Sequence, residues 1–96
     1  MATYLAEVRR ERKSTIKEVT ASHPNQVVRL VSNALGNGFY QVFVLRDNGY
    51  TWKYSLLKKD GVVPRARLMG KSLAPLNKDE IDSVRAGNKL LSEMYE

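Results

Sequence analysis

The chain has 96 residues, no cysteine, one histidine and a net charge of +6. That length suits one domain, residues 1–96, and leaves no room for two. The lack of cysteine excludes disulfides, thiolate metal sites and cysteine nucleophiles. No apolar run approaches the ~20 residues of a membrane span, and residues 1–10 lack the basic-then-apolar pattern of a signal peptide. A cytoplasmic location and no membrane partner are therefore expected.

The charge is unevenly spread. Residues 1–35 carry six Lys/Arg against three acids, residues 36–76 seven against two, and residues 77–96 three against five. The middle of the chain is basic and its end acidic, a distribution suited to a polyanionic or acidic partner.

Residues 3–10 alternate Tyr4, Ala6 and Val8 with Leu5, Glu7 and Arg9, which predicts a strand with one apolar face. After the polar break at residues 9–14, residues 15–21 are rich in β-branched side chains and predict a second strand. Its parity is untidy, since Ile16 and Val19 point to opposite faces unless a bulge intervenes. The pair predicts a hairpin with a basic tip. A helix follows, with Ser22 or His23 as cap, Pro24 in its first turn and Gly36 as a left-handed stop. Val27, Val28, Val31, Ala34 and Leu35 form its apolar stripe.

Residues 39–45 predict a densely apolar strand. Asn48-Gly49 then signals a hairpin, and residues 50–57 return. Asp60-Gly61 signals a second turn into residues 62–69, where Pro64 suits an edge strand. Residues 70–75 connect to a last helix. Asn77 and Glu80 form a capping box there, Leu76 and Ile81 a hydrophobic staple, and Asp79, Glu80 and Asp82 complement the helix dipole. Ile81, Val84, Leu91 and Tyr95 continue its stripe, and Gly87-Asn88 marks either a close-packing point or a break. The expected fold is α+β, an antiparallel sheet in the order ββαβββα with both helices on one face.

If both Gly turns are two-residue loops, Leu45 faces Trp52, Phe43 faces Tyr54, and Tyr54 faces Arg67. One sheet face then carries Phe43, Leu45, Tyr50, Trp52, Tyr54, Arg65 and Arg67. Such an aromatic–arginine platform stacks bases and holds phosphates. The alternative is that the aromatics are core and the arginines lie at its edge. A one-residue slip in either turn dissolves the platform. Arg9, Arg10, Arg12 and Lys13 at the first hairpin tip are either a phosphate-seeking finger or a solvated loop.

Catalysis finds no residues to carry it. His23 has no nucleophile or orienting acid in a recognisable pattern and cannot alone form a zinc site. Gly36-Asn37-Gly38 lacks the spacing and the lysine of a phosphate loop, and the acids after Asn77 lack calcium-loop spacing. No enzyme activity, no metal and no cofactor is expected.

The segments Tyr4-Leu5-Ala6-Glu7-Val8, Glu18-Val19-Thr20-Ala21-Ser22, the helix from Pro24 and Phe39-Tyr40-Gln41-Val42-Phe43 run strand, strand, helix, strand. Across residues 3–57 this order resembles small phage-encoded host-takeover proteins, among them inhibitors of host RNA polymerase and certain anti-CRISPR proteins. The resemblance is architectural and implies a stoichiometric binder of a host nucleic-acid-processing complex. The expected function is thus a small, basic, non-enzymatic module that binds nucleic acid or a nucleic-acid-processing protein complex. Its contacts are expected at Arg9, Arg10, Arg12, Lys13, Trp52, Tyr54, Arg65 and Arg67. The alternative is a protein–protein or assembly component that uses its apolar surface and acidic C-terminal helix and contacts no nucleic acid.

Overall fold

In the computed structural model, which describes residues 1–95, the alternating N-terminal segments form a regular hairpin. β1 (Ala2–Arg10) pairs with β2 (Lys13–Ala21) from Ala2 opposite Ala21 to Arg10 opposite Lys13, without a bulge. Ile16 and Val19 do point to opposite faces, because each packs into a different core. The untidy parity of this strand therefore records a sheet covered on both sides.

α1 (Pro24–Ser32) begins with Pro24 in its first turn and buries Val27, Val28 and Val31. His23 occupies the N-cap position but its side chain makes no capping bond. The expected left-handed stop at Gly36 is not used. The helix ends at Ser32, and the amides of Ala34 and Leu35 bond the carbonyls of Val31 and Ser32 in tighter turns. Such i→i−3 bonds commonly close a helix end.

β3 (Gly38–Leu45), β4 (Thr51–Lys58) and β5 (Arg65–Lys71) complete an antiparallel sheet of order β2-β1-β3-β4-β5. The β3–β4 register is one residue away from that expected of a two-residue loop. Leu45 faces Thr51, Val44 faces Trp52, and Val42 faces Tyr54. The cause lies in the turn. Arg46 and Tyr50 close it, Gly49 donates to the Arg46 carbonyl at 3.0 Å, and Gly49 has φ +87°. Asp47, Asn48 and Gly49 thus form a three-residue loop whose last residue takes the left-handed conformation, the next most common hairpin after the two-residue kind. Gly49 is needed twice, because a Cβ there would also lie 2.5 Å from the Leu76 carbonyl oxygen.

That single residue divides the side chains between the faces. Tyr4, Ala6, Val8, Val42, Val44, Tyr54 and Leu56 meet the valines of α1. Leu5, Phe43 and Leu45 lie on the opposite face and meet Val84 of α2 (Lys78–Arg85) and Leu91 of α3 (Leu91–Met94). The expectation that both helices share one face is thus corrected. Central strand β3 is apolar on both sides and β1 is buried on both, and one helical layer cannot bury both faces.

α2 starts as its sequence requires. Asn77 Oδ1 accepts from the Glu80 amide at 2.9 Å, and Glu80 Oε1 accepts from the Asn77 amide at 3.1 Å. Gly87, at φ +80°, turns the chain after Arg85, so Gly87-Asn88 is a break and α3 is a separate turn of helix. α3 is held by Glu7, which is fully buried. Its carboxylate accepts the amide of Leu91, the amide of Ser92 at 3.3 Å and the Ser14 hydroxyl at 3.3 Å. A buried carboxylate persists only when its oxygens are so occupied. No helix among the described residues is long and apolar enough to cross a membrane.

Candidate nucleic-acid interface

The α2 face of the sheet is only half covered. α2 and α3 lie over Leu5, Phe43 and Leu45. At the other end of the same face, cross-strand partners run Arg9–Gln41, Gln41–Ser55, Phe39–Leu57, Ser55–Arg67 and Leu57–Arg65. Partners share a face, so Arg9, Gln41, Phe39, Ser55, Leu57, Arg67 and Arg65 form one continuous surface. Phe39 is 58% exposed and Leu57 37% exposed, and both arginines are exposed. A phenylalanine this open, beside a leucine and two arginines, is a flat apolar patch edged with positive charge.

The neighbouring loops deepen the basicity. The β1–β2 tip, with Arg12 and Lys13, and the exposed Lys59 after β4 lie at this same end of the sheet, with Glu11 and Asp60 as the acids of those loops. Asp79, Glu80 and Asp82 belong to α2, over the covered end. The charge polarity along the chain becomes a polarity across one sheet face.

The eight expected contact residues fall into four groups. Arg65 and Arg67 lie on the open half-face, and Arg9 borders it, donating to the Ser92 hydroxyl at 2.9 Å and to the Glu11 carbonyl at 3.3 Å. Arg12 and Lys13 are exposed at the tip. Arg10 turns to the other face, where it lies 5.5 Å from the centre of the Tyr40 ring and donates to its hydroxyl.

Trp52 and Tyr54 are separated from the arginines by the register, so the platform of Phe43, Leu45, Tyr50, Trp52, Tyr54, Arg65 and Arg67 does not form. Tyr54 is core. Its hydroxyl donates to Asn25 Oδ1 at 2.9 Å. Burial pushes its phenol above the ordinary value, opposed by the charge of Arg46 and reinforced by Tyr4. Trp52 packs against the α1 core, with Arg46 and Lys71 over its ring at 5.7 and 5.5 Å. The Trp52 indole nitrogen and the Arg46 Nε are buried without hydrogen-bond partners.

Phe39, Gln41, Ser55 and Leu57 are the surface residues that sequence reasoning missed. The signal for them was the third residue of the β3–β4 loop. With Asp47 counted inside the loop, Phe39 falls opposite Leu57. The β4–β5 pairing is also one residue away from that of a two-residue loop, so Leu57 faces Arg65 and Ser55, not Tyr54, faces Arg67.

Other chemistries have little to build on. His23 is exposed at the start of α1. Among the described residues no group of three or more His, Cys, Asp or Glu is arranged to hold a metal ion. No family model, curated protein or solved structure matches the chain.

Proposed function

We propose that this protein is a non-enzymatic module that binds single-stranded nucleic acid across the open half of its α2 face. Phe39 supplies the stacking surface, Leu57 extends it, and Arg65 and Arg67 hold phosphates. Gln41 and Ser55 lie between them and offer hydrogen-bonding groups to base edges. A flat sheet with an exposed aromatic suits splayed bases better than a duplex, whose bases are already stacked. The basic tip and Lys59 extend the positive field along a strand's path. The observation that carries the reading is Phe39, a large aromatic left 58% exposed on an arginine-lined sheet face.

Such a module fits the class implied by the strand order, a small protein acting on a nucleic-acid-processing complex, with this face as its contact. The alternative, a protein contact through the acidic C-terminal helix, has less to draw on. Ile81, Val84 and Leu91 are used inside the fold, which leaves α2 a polar outer side.

Salt dependence tests the reading. Binding of fluorescent oligothymidylate and oligouridylate, measured by anisotropy, is expected to weaken as salt rises. Arg65→Ser with Arg67→Ser should lower the log–log salt slope by about 1.4, two single-strand phosphate contacts. Their side chains are exposed and unpaired among the described contacts, so stability should not move. No binding at low salt, or a slope unchanged in the double variant, refutes the proposal.

A further inference from the structure

The opposite face carries a second surface, which shares only Arg65 and Arg67 of the edge strand with the one just proposed. α1 packs on β1, β2, β3 and β4 but stops short of β5. Between α1 and β5 runs a groove of about 630 Å³. Val28 of α1 lines one side, Tyr54 and Leu56 of β4 the floor, and Ala66, Leu68 and Val63 the outer side. Leu68 is 47% and Val63 83% exposed, so the apolar layer under α1 continues in the open to the edge of the sheet. β5 is that edge, exposed along almost its whole length, with one row of backbone groups unpaired. An open edge strand is a template for one more strand.

We propose that β5 accepts an extended segment of a partner protein in which apolar residues alternate with Asp or Glu. The regular stretch is residues 65–68, because a register shift follows at Leu68. Along it Ala66 and Leu68 face the groove and Arg65 and Arg67 face the other way. A strand added alongside continues both rows. Its groove-side residues extend the apolar layer, and its other residues stand next to two arginines. Apolar side chains satisfy the first row and carboxylates the second.

Charge also excludes a second copy of this chain as the occupant. Two registers of antiparallel self-pairing match more than one residue within 65–68 and keep the apolar rows on one side. Centred on Ala66, Arg65 faces Arg67 of the other copy twice; centred on Arg67, that arginine faces itself. Like charges directly opposite are destabilising, so the arginines that attract an acidic strand repel another β5.

The test uses labelled peptides of about eight residues, the length of a typical strand with a margin. One alternates Val and Glu, and a second alternates Val and Lys. Two further Val/Glu peptides carry N-methyl groups on all Val or on all Glu residues, each blocking one edge of the peptide strand. The Val/Glu peptide should bind, more weakly as salt rises, and the Val/Lys peptide should not. One N-methylated form should bind and the other fail, because an added strand uses a single edge. Leu68→Ser with Val63→Ser should weaken the Val/Glu peptide at least about tenfold. Both residues are exposed, so the core stays intact.

Oligonucleotide binding, measured separately on the same variant, should be unchanged, because neither side chain lies on the α2 face. It reports on the nucleic-acid reading alone, so the two proposals fail independently. The strand-addition proposal is overturned by no Val/Glu binding up to about 1 mM. It is also overturned by equal binding of the Val/Lys peptide, by equal behaviour of the two methylated forms, or by indifference to the groove substitutions.

Discussion

The α2 face presents two halves made from the same strands with the same alternation. At one end Phe43 is 3% exposed, under α2 and α3; at the other Phe39 is 58% exposed. The two phenylalanines lie on one strand, four residues apart and on one side of the sheet. Neither β propensity nor hydrophobicity distinguishes them. What differs is whether the C-terminal helices reach: Phe43 lies under them, with the Tyr95 ring 5.6 Å away edge-to-face. A thin domain has little spare helix, so leaving an aromatic uncovered is informative in a way that burying one is not.

The sharpest way to break the comparison is to truncate both aromatics. Phe43→Ala should cost about 3–5 kcal/mol of stability in urea unfolding. Phe39→Ala should leave stability within about 1 kcal/mol while costing about 1–3 kcal/mol of oligonucleotide affinity. Equal losses of stability would mean that the two halves are one core.

A smaller effect is expected at the residue that fastens the cover. Glu7→Ala leaves the amides of Leu91 and Ser92 without their acceptor, which should cost about 1.5–3 kcal/mol. Hydrogen exchange should then speed up at Leu91 and Ser92 while the β3–β4 amides stay protected. Unchanged exchange in α3 would mean that Glu7 does not hold it.

The α1 face supplies the smallest effect. Tyr54→Phe removes the hydroxyl bonded to Asn25 and should cost about 1 kcal/mol at neutral pH. The folded phenol holds its proton above the ordinary value. Its contribution is therefore full below about pH 10 and is lost as pH rises through the folded value. The variant should show a shallower alkaline decline in stability than the wild type.

Much of this fold is legible in the chain, residue by residue. Asn77 with Glu80 marks the start of α2, and Pro24 that of α1, because capping is local chemistry written in adjacent positions. The α+β class and the antiparallel meander follow from alternation and Gly turns. The sites depended on something finer. Asn48-Gly49 reads as a two-residue loop, yet Gly49 serves as the third loop residue, and that one step moves Trp52 and Tyr54 to the α1 face and Phe43 to the other. Ile16 and Val19 carried the correcting signal, since a strand apolar on both sides needs cover on both. Glu7 was legible only as a polar residue of an alternating strand. Its burial depends on amides 84 and 85 positions away, which no local pattern reports.

Arg65 and Arg67 were singled out from the sequence and do lie on an open face, though beside Phe39 and Leu57 rather than Trp52 and Tyr54. Two arginines at alternate positions of an edge strand share a face in any register, whereas cross-strand neighbours depend on every loop between them.

The most direct test of the open half-face is a map of amide chemical shifts during titration with a single-stranded oligothymidylate of about ten nucleotides. Binding on this surface predicts that the amides of Phe39, Gln41, Ser55, Leu57, Arg65 and Arg67 move together and saturate together. Those of Leu5, Phe43 and Leu45, on the covered half of the same face, should stay in place. Shifts centred on the α1 face or on α2, or confined to the tip residues Arg12 and Lys13, would contradict the account.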